Sequence, residues 1–268
     1  FKTPQELMNK VLLFFSKQNV PMLYDCHSHI DLINENEVEQ ILENSKKEGV
    51  KEIISCATSF YSNEKILALS KKYPQIKTAL GLYPLNIIEL NEEELKRAFD
   101  FFRKNIKKAI AIGEVGLDFK YSTKKEEQEK QTRIFSKFIE LSKEFNKPLI
   151  IHSRYAQRQV VEILKEKKAE KVLLHSFTES KKLMKQASDL GYYISCGIKT
   201  LTDENIQKNL KEFPLKQLLF ETDSPIIFNN EKAHPKKIKL IAEKVAELKG
   251  ISFKEVEEQQ EKNYSKLF

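Results

Sequence analysis

The chain has 268 residues, 40% of them hydrophobic and 10% aromatic, which is enough for one large domain with a sizeable core. Its 46 Lys and Arg against 39 Asp and Glu give a net charge of +7, which favours anionic partners without identifying one. No apolar run approaches about 18 residues, so no membrane span is expected. Three cysteines without paired spacing argue against a disulfide framework and favour a reducing, cytoplasmic location.

The first 21 residues are expected to form an appended helix. Thr3 supplies a capping hydroxyl, Pro4 suits the first turn, and Glu6 follows the cap by three residues. From residue 22 onwards, short continuous apolar runs alternate with amphipathic helical patterns. Such runs are typical of parallel strands that are buried on both faces. Strands are predicted at about 23–29, 53–57, 76–82, 109–114, 149–152, 172–175, 192–196 and 218–223.

Helical patterns separate these strands, and two more helices are predicted in the tail. They lie at about 35–47, 63–72, 91–105, 124–145, 156–168, 180–190, 203–210 and within 234–268. Eight strand-helix units without a linker or a Gly/Ser tract predict a single (β/α)8 TIM barrel, an α/β fold, over residues 22–268. A doubly wound open sheet is the alternative.

Scarce histidines stand at the ends of predicted strands. His27 and His29 point to the same face of the first strand, because side chains two residues apart do so. A His-x-His pair alone is weak evidence for a metal site. The chain has only five histidines, however, and His152 and His175 each close an apolar run of their own. Only His234 falls outside this pattern, and we expect it at the surface or at a helix start.

In a barrel, the carboxyl ends of all strands meet at one face, where active sites lie. The side chains expected to converge there are His27, His29, Glu114, His152, His175 and Asp223. Four imidazoles and two carboxylates suit two divalent cations, with Glu114 as the natural bridge. The mixed nitrogen and oxygen ligands suit zinc, manganese or another first-row ion better than calcium.

Five strand-end motifs together resemble those of the TatD-family metal-dependent deoxyribonucleases, which belong to the amidohydrolase-like barrels. The motifs are Tyr24-Asp25-Cys26-His27-Ser28-His29-Ile30-Asp31, Ala111-Ile112-Gly113-Glu114-Val115-Gly116-Leu117-Asp118-Phe119, Ile151-His152-Ser153-Arg154, Leu174-His175-Ser176-Phe177-Thr178 and Glu221-Thr222-Asp223-Ser224-Pro225. The resemblance runs in family order from about Met22 to the last residue. As a set the motifs are highly specific, although each alone is modest.

The resemblance implies a role for each of the six side chains. His27 and His29 would hold one metal together with Asp223, His152 and His175 would hold the second, and Glu114 would bridge the two. Asp223 would also orient the attacking water and take its proton, so that Asp223 and Glu114 are the expected catalytic residues. The implied cofactors are two divalent ions, zinc, magnesium or manganese. The implied reaction is hydrolysis of DNA phosphodiester bonds from the 3′ end, on single strands or 3′ ends.

Three departures from the family pattern put the substrate preference in doubt. In Gly81-Leu82-Tyr83-Pro84-Leu85, Tyr83 stands where family members often carry His, and it is a candidate to bond a phosphate or stack on a base. Glu179 places an acid after His175 where the family often has Gly. The loop at residues 228–236 has no Arg or Gly, where the family often shows a basic, Gly-containing stretch.

Further candidate substrate contacts each have a structural alternative. Arg154 follows His152 by two residues and is the first choice for a phosphate contact, since its fork matches phosphate oxygens. The alternative is an ion pair with Asp118 or Glu179. Ser224 is a candidate phosphate contact, although Ser-Pro is ordinary turn chemistry.

Two acids near the ligands have structural explanations as well. Asp118 is interpreted mainly as a structural residue, with support of a ligand imidazole as the alternative. Asp31 would either orient His29 or cap a turn.

Two other functions are consistent with the same side chains. A metal-dependent ester or amide hydrolase, such as a D-aminoacyl-tRNA deacylase, would use the same activated water on a carbonyl. A DNA- or protein-binding barrel could retain its metals for stability alone. A deacylation assay beside a nuclease assay separates the first from the deoxyribonuclease, and Asp223→Asn separates the second, since it should abolish turnover only.

Overall fold

A computed structural model describes residues 22–178 and 180–268, in which eight strands form one parallel sheet in sequence order. The strands are β1 (Leu23–Ser28), β2 (Val50–Cys56), β3 (Ile76–Leu80), β4 (Ala111–Asp118), β5 (Leu149–Arg154), β6 (Val172–Leu174), β7 (Tyr193–Cys196) and β8 (Leu218–Phe220). A small antiparallel pair, β9 (Ile227–Phe228) and β10 (Glu231–Lys232), follows β8. The sheet confirms the predicted (β/α)8 barrel.

The barrel closes where the chain after β8 meets β1. The Asp223 backbone N–H donates to the His27 carbonyl oxygen at 2.9 Å, and the His29 N–H donates to the Ser224 oxygen at 2.6 Å. The buried Asp25 carboxylate also accepts the Thr222 backbone N–H at 3.0 Å. These bonds bring the two chain segments that carry His27, His29 and Asp223 side by side.

Helices follow the strands and cover the outside of the barrel. They are α1 (Glu35–Lys47), α2 (Phe60–Lys72), α3 (Pro84–Glu89), α4 (Glu92–Asn105), α5 (Lys125–Phe145), α6 (Gln157–Glu166), α7 (Lys181–Asp189), α8 (Glu204–Glu212), α9 (Ile238–Lys249) and α10 (Phe253–Leu267). Local sequence explains several starts: Asn91 with Glu94 forms a capping box on α4, and Ser252 with Glu255 forms one on α10. Gly250 ends α9 in the left-handed conformation.

The hydrophobic core has two parts, one between the strands and the helices and one inside the barrel. The interior part fills the amino end of the barrel, and α10 covers it. The Tyr264 ring stacks on Tyr24 with 3.9 Å between ring centroids. The Gln260 side-chain amide donates to the Tyr24 carbonyl oxygen at 2.9 Å. The amino end is therefore closed, which leaves the carboxyl end as the open one.

The predicted boundaries differ from the structure most in β4. This strand was expected to end at Glu114 but continues to Asp118, with an irregularity in its pairing with β5 between Ile112 and Val115. Gly116 lies inside the strand at φ +140°, and a Cβ there would meet the His152 carbonyl oxygen at 2.0 Å. Only glycine fits this close approach, so Gly116 allows β4 and β5 to pack closely here.

The structure contains elements that were not predicted, and one predicted helix lies outside the described residues. The short helix α3 and the β9–β10 hairpin have no counterpart among the predicted elements. The helix expected over residues 1–21 lies outside the described residues. Within the described ranges, no helix is long and apolar enough to cross a membrane.

Candidate metal centre

Strand β1 delivers His27 and His29 to the carboxyl end of the barrel. Their Nε2 atoms lie 3.2 Å apart. The His29 Nδ1–H donates to the Cys56 carbonyl oxygen at 2.8 Å, which leaves its Nε2 lone pair facing the site when the ring is neutral. The buried Nδ1 of His27 has no hydrogen-bond partner within residues 22–178 and 180–268. The two rings thus present Nε2 atoms to one point, as their spacing in the sequence predicted.

Asp223 reaches the same point from beyond the end of β8. Its Oδ1 lies 3.4 Å from His27 Nε2 and 3.3 Å from His29 Nε2. Its side chain is 25% exposed, so it is also open to solvent and to a substrate. The backbone at Asp223 is left-handed, with φ +54°. This conformation costs energy for a residue other than glycine and is concentrated at functional sites.

The Glu114 carboxylate lies between two pairs of imidazoles. Its Oε2 is 3.8 Å from His27 Nε2 and 3.5 Å from His29 Nε2. Its Oε1 is 2.7 Å from His152 Nδ1 and 3.2 Å from His175 Nε2. Each oxygen therefore faces its own pair of nitrogens, which is the arrangement that a bridging ligand requires.

A buried carboxylate orients one imidazole of the second pair, His152. His152 Nδ1 and His175 Nε2 are 3.1 Å apart. On its other side, the His152 Nε2–H points to Asp118 Oδ2 at 3.1 Å, and the Tyr83 hydroxyl donates to the same oxygen at 2.6 Å. A carboxylate on the far nitrogen fixes the tautomer and the direction of a ligand imidazole.

Glu221 lies on the far side of His175 but makes no hydrogen bond with its ring. Its Oε1 lies 3.6 Å from His175 Nδ1, and its other oxygen accepts the Ser195 hydroxyl. Glu221 was not among the predicted site residues. Its contact with His175 joins the segments after β6 and β8, so no local sequence pattern indicates it.

The charges of these groups are strongly coupled. Burial opposes ionisation of Glu114, but His152 and His175 outweigh it and hold the pKa of Glu114 well below its usual range. Burial likewise opposes ionisation of Asp223, and His27 and His29 lower its pKa.

The imidazoles respond in opposite directions. Burial and the nearby His175 lower the pKa of His27. For His29, burial is outweighed by Asp223 and Glu114, which raise its pKa to about 9. For His175, burial is outweighed by Glu221 and Glu114, which hold its pKa well above the ordinary value. The carboxylates therefore favour positive charge between the rings. A divalent cation would provide this charge while the imidazoles remain neutral.

The donor set fits metal ions on its own chemistry. Two groups have ligand atoms that all lie within 4.8 Å of one another: His27, His29 and Glu114, and Glu114, His152 and His175. Both groups are buried, and they share Glu114. In each pair of imidazoles, two ring nitrogens face each other at about 3 Å. A shared cation explains this approach better than a hydrogen bond between the rings.

A cavity of about 590 Å³ opens beside these ligands, a size ordinary for a small-ligand site. His152, His175, Asp223 and Arg154 are among its lining residues. Arg154 is exposed and makes no ion pair with Asp118. Its guanidinium carbon instead lies 6.0 Å from the centre of the Tyr121 ring. Glu179, the other expected partner of Arg154, lies outside the described residues.

The remaining candidate residues are placed differently. Tyr83 is half-buried and donates its hydroxyl to Asp118, which contacts the candidate ligand His152, and Tyr83 does not line the cavity. Ser224 is buried, and its hydroxyl donates to the Ala233 carbonyl oxygen at 2.9 Å, which anchors the loop after β8. Asp31 accepts from the Ser62 hydroxyl at 2.7 Å, and it is Cys56 that orients His29. His234 begins a short helical turn, as expected.

Comparison with known proteins gives matches over nearly the whole chain. The family model described as TatD related DNase matches residues 24–268. The human deoxyribonuclease TATDN3 is 32% identical over 258 residues, which cover 92% of this chain and 94% of the human protein. An uncharacterized metal-dependent hydrolase of Bacillus subtilis, YabD, is 33% identical over 257 residues, which cover 92% of this chain and 99% of that protein.

Solved structures show the same architecture. The crystal structure of YJJV, a TatD homologue from Escherichia coli, superposes with a TM-score of 0.85 at 25% identity and covers 93% of this chain and 98% of that one. A TatD family hydrolase from Entamoeba histolytica superposes with a TM-score of 0.83 at 21% identity, covering 93% of this chain and 98% of that one. The second likeness supports the fold alone.

Proposed function

The chain belongs to the TatD-related DNase family and is a metal-dependent hydrolase, and from this premise we propose that it hydrolyses phosphodiester bonds of DNA. The proposal includes two divalent cations as cofactors and removal of nucleotides from the 3′ end of single strands. DNA is proposed as the substrate because the human relative is named a deoxyribonuclease. Such hydrolysis needs an activated water, a base for its proton and a positively charged contact for the phosphate.

The observation that carries the proposal is the position of Glu114. One of its oxygens faces His27 and His29, and the other faces His152 and His175. In the proposed site, His27, His29 and Asp223 would hold one ion, His152 and His175 would hold the other, and Glu114 would contact both. When bound, such ions polarise phosphoryl oxygens and lower the pKa of water.

The protein groups supply orientation and proton transfer. Asp118 and Tyr83 fix the direction of His152, and Glu221 faces His175. His27 and His29 lower the pKa of Asp223, and its side chain is partly exposed at the cavity, which supports its carboxylate as the group that accepts the proton of the attacking water. Exclusion of bulk water from the buried His and Glu cluster strengthens each of these contacts.

Arg154 is proposed to bind the phosphate. It lines the cavity beside His152, is exposed, and makes no ion pair within the described part of the chain. Its planar guanidinium can donate two parallel hydrogen bonds to phosphate oxygens.

The test is a nuclease assay on single-stranded oligonucleotides labelled at the 3′ or the 5′ end, with Mg²⁺, Mn²⁺ or Zn²⁺. The wild type is expected to release the 3′ label first and only with metal. Glu114→Ala should be inactive with every metal, because both groups of ligands lose their shared carboxylate. Glu243→Ala removes an exposed glutamate from α9 and is the matched control, purified in the same way.

The outcomes separate the parts of the proposal. Loss of the 5′ label first would overturn the direction and leave the nuclease intact. Cleavage by Glu114→Ala at the wild-type rate would identify a contaminating nuclease. Metal binding without DNA cleavage, together with hydrolysis of a carboxylic ester in parallel reactions, would replace the deoxyribonuclease with a carbonyl hydrolase.

A further inference from the structure

Large apolar side chains are exposed mainly on segments that follow the carboxyl ends of the strands. Within residues 22–178 and 180–268, the exposed large hydrophobic residues on such segments are Leu32, Phe60, Tyr61, Tyr121, Tyr155, Ile226 and Ile227. In the same ranges, only Met22 and Leu240 of this class lie elsewhere. Exposed apolar side chains gathered around one opening mark a binding surface.

One part of this exposed apolar surface lines the cavity beside the candidate metal ligands. Tyr155, Ile226 and Ile227 line the cavity, together with the candidate ligands His152 and His175. The exposed residues after β1 and β2 do not line it. On the side formed by the chain after β5 and after β8, exposed apolar side chains therefore border the proposed reaction centre.

Tyr155 has a conformation that packing does not explain. It follows Arg154 at the end of β5 with φ +58°, a left-handed conformation that is strained for a bulky residue and easier for glycine or asparagine. Its side chain is 72% exposed, so the ring gains little from burial within the protein. An exposed aromatic ring held in a costly conformation beside a reaction centre is explained by contact with a ligand.

Three cations line the same cavity without an acidic partner among the described residues. Lys120, Arg154 and Lys199 line it and are exposed. None of the three forms an ion pair with any residue that the structure describes. The Lys120 ammonium lies 5.3 Å from the centre of the Tyr121 ring, and the Arg154 guanidinium lies over the same ring. Aromatic rings interleaved with cations suit a flexible polyanion whose units carry flat faces.

We propose that Tyr155 is a stacking platform for an unpaired nucleobase of the substrate strand, while Lys120, Arg154 and Lys199 contact its phosphates. This inference rests on the proposed function and specifies how the strand is held. A nucleobase offers a flat face whatever its identity, so stacking at Tyr155 is independent of sequence. A base in a duplex has both faces covered, so the platform selects single strands and frayed ends.

The decisive experiment measures binding in EDTA, where no cleavage occurs. The probes are a fluorescein-labelled oligothymidylate of about twelve nucleotides and a strand of the same length in which tetrahydrofuran replaces every nucleoside sugar and base. Both carry the same phosphates, but only the first has bases. The proteins are the wild type, Tyr155→Leu, Tyr155→Phe and the control Tyr61→Leu, which changes an exposed tyrosine outside the cavity. Fluorescence anisotropy gives each Kd.

The wild type should bind the thymidylate more tightly than the base-free strand. Tyr155→Leu should weaken thymidylate binding by about 5- to 100-fold, the range for loss of one aromatic stacking contact, and leave binding of the base-free strand within about twofold. Tyr155→Phe keeps the ring and should retain the wild-type Kd, as should Tyr61→Leu.

Other results would overturn the inference. Equal weakening of both probes by Tyr155→Leu would identify a structural effect, and an unchanged Kd for the thymidylate would exclude stacking. Thermal unfolding of each variant checks that it is folded. If the wild type cleaves DNA while Tyr155→Leu binds both probes normally, the platform fails and the nuclease stands. If the wild type cleaves no DNA but its thymidylate binding depends on Tyr155, the nuclease fails and the platform stands.

Discussion

The two ends of the barrel interior are built on the same strands and have opposite chemistry. At the amino end the interior is apolar, formed by Tyr24, Cys26, Ile54, Cys56, Ala79, Ala111, Ile150, Leu173 and Leu219 with α10 beneath them. Two residues farther along β5, Ile150 is followed by His152, and beyond β6 Leu173 is followed by His175. Because residues two apart share a face, one strand supplies both a packing side chain and a candidate ligand.

This difference separates stability from activity within one barrel. Apolar burial at the amino end stabilises the fold by roughly 25 cal/mol per Å² removed from water. At the carboxyl end, burial opposes the charged forms of Glu114 and Asp223, and neighbouring imidazoles lower the pKa of both carboxyl groups. Substitutions at the two ends should therefore fail in different assays, and the following predictions test this, beginning with the largest effect.

Asp223→Asn should lower the rate of DNA hydrolysis by about 10²- to 10⁴-fold, the contribution typical of a positioned proton acceptor. The amide retains the size of the carboxylate but cannot accept the proton of water. Unfolding in urea should change little by comparison, because the side chain lies at the open end of the barrel. Initial rates at saturating metal and urea curves on the same preparations give both quantities.

Asp189→Asn is the control for this substitution. Asp189 is exposed on α7 and pairs with Lys185 on the same helix, an arrangement that contributes little to stability. Its rate should equal that of the wild type. A DNA-hydrolysis rate of Asp223→Asn within tenfold of this control would remove Asp223 from the role of base.

Ile54→Ala, at the amino end, should lower stability and leave the rate of DNA hydrolysis nearly unchanged. Ile54 is fully buried in the interior cluster on β2, a strand that carries none of the candidate ligands. Its truncation should lower the free energy of unfolding by about 2–5 kcal/mol, through lost burial and the cavity left behind. The rate per folded molecule should remain within about twofold of the wild type. Ile227→Ala, at an exposed position, should change stability by less than about 0.5 kcal/mol.

Asp118→Asn tests a residue that lies between the two extremes. Asp118 is buried, and its pKa is lowered because His152 and Tyr83 outweigh its burial. The amide can present an N–H to His152 and so favour the wrong tautomer. Affinity for one of two metal ions should fall by about 10- to 100-fold, with the other unchanged. Calorimetric titration of the metal-free protein would measure both sites, with Asp100→Asn as an exposed control.

Tyr83→Phe should produce a smaller loss in the same direction, since Asp118 remains and only its hydroxyl donor is removed. Equal metal affinities in Asp118→Asn and the wild type would show that packing alone orients His152.

The sequence predicted the barrel and its candidate ligands for one physical reason. Buried strands and their terminal ligands are local patterns, and the convergence of strand ends follows from the fold. What it did not predict depends on contacts between distant segments. Tyr83 was expected to meet the substrate, but it is paired with Asp118, 35 residues away. Glu221 was missed because its relation to His175 exists only once β6 and β8 share a barrel.

The smallest effect on stability is expected at acidic pH from His234, which is not a candidate ligand. Burial, with Lys236 and Lys237, lowers the pKa of His234 from 6.5 to about 4. A depressed pKa means that the unfolded chain binds the proton first, so this contribution to stability is full above pH 6.5 and is lost as the pH falls toward 4. His234→Asn keeps an acceptor for the Lys236 N–H without titrating.

In metal-free protein, the unfolding free energy of His234→Asn should therefore decrease less than that of the wild type between pH 7 and 4. The difference should be at most about 1 kcal/mol, because the ring is partly solvated. The ligand imidazoles titrate equally in both proteins and cancel in the comparison. Identical pH profiles would show that His234 does not contribute to the loss of stability in acid.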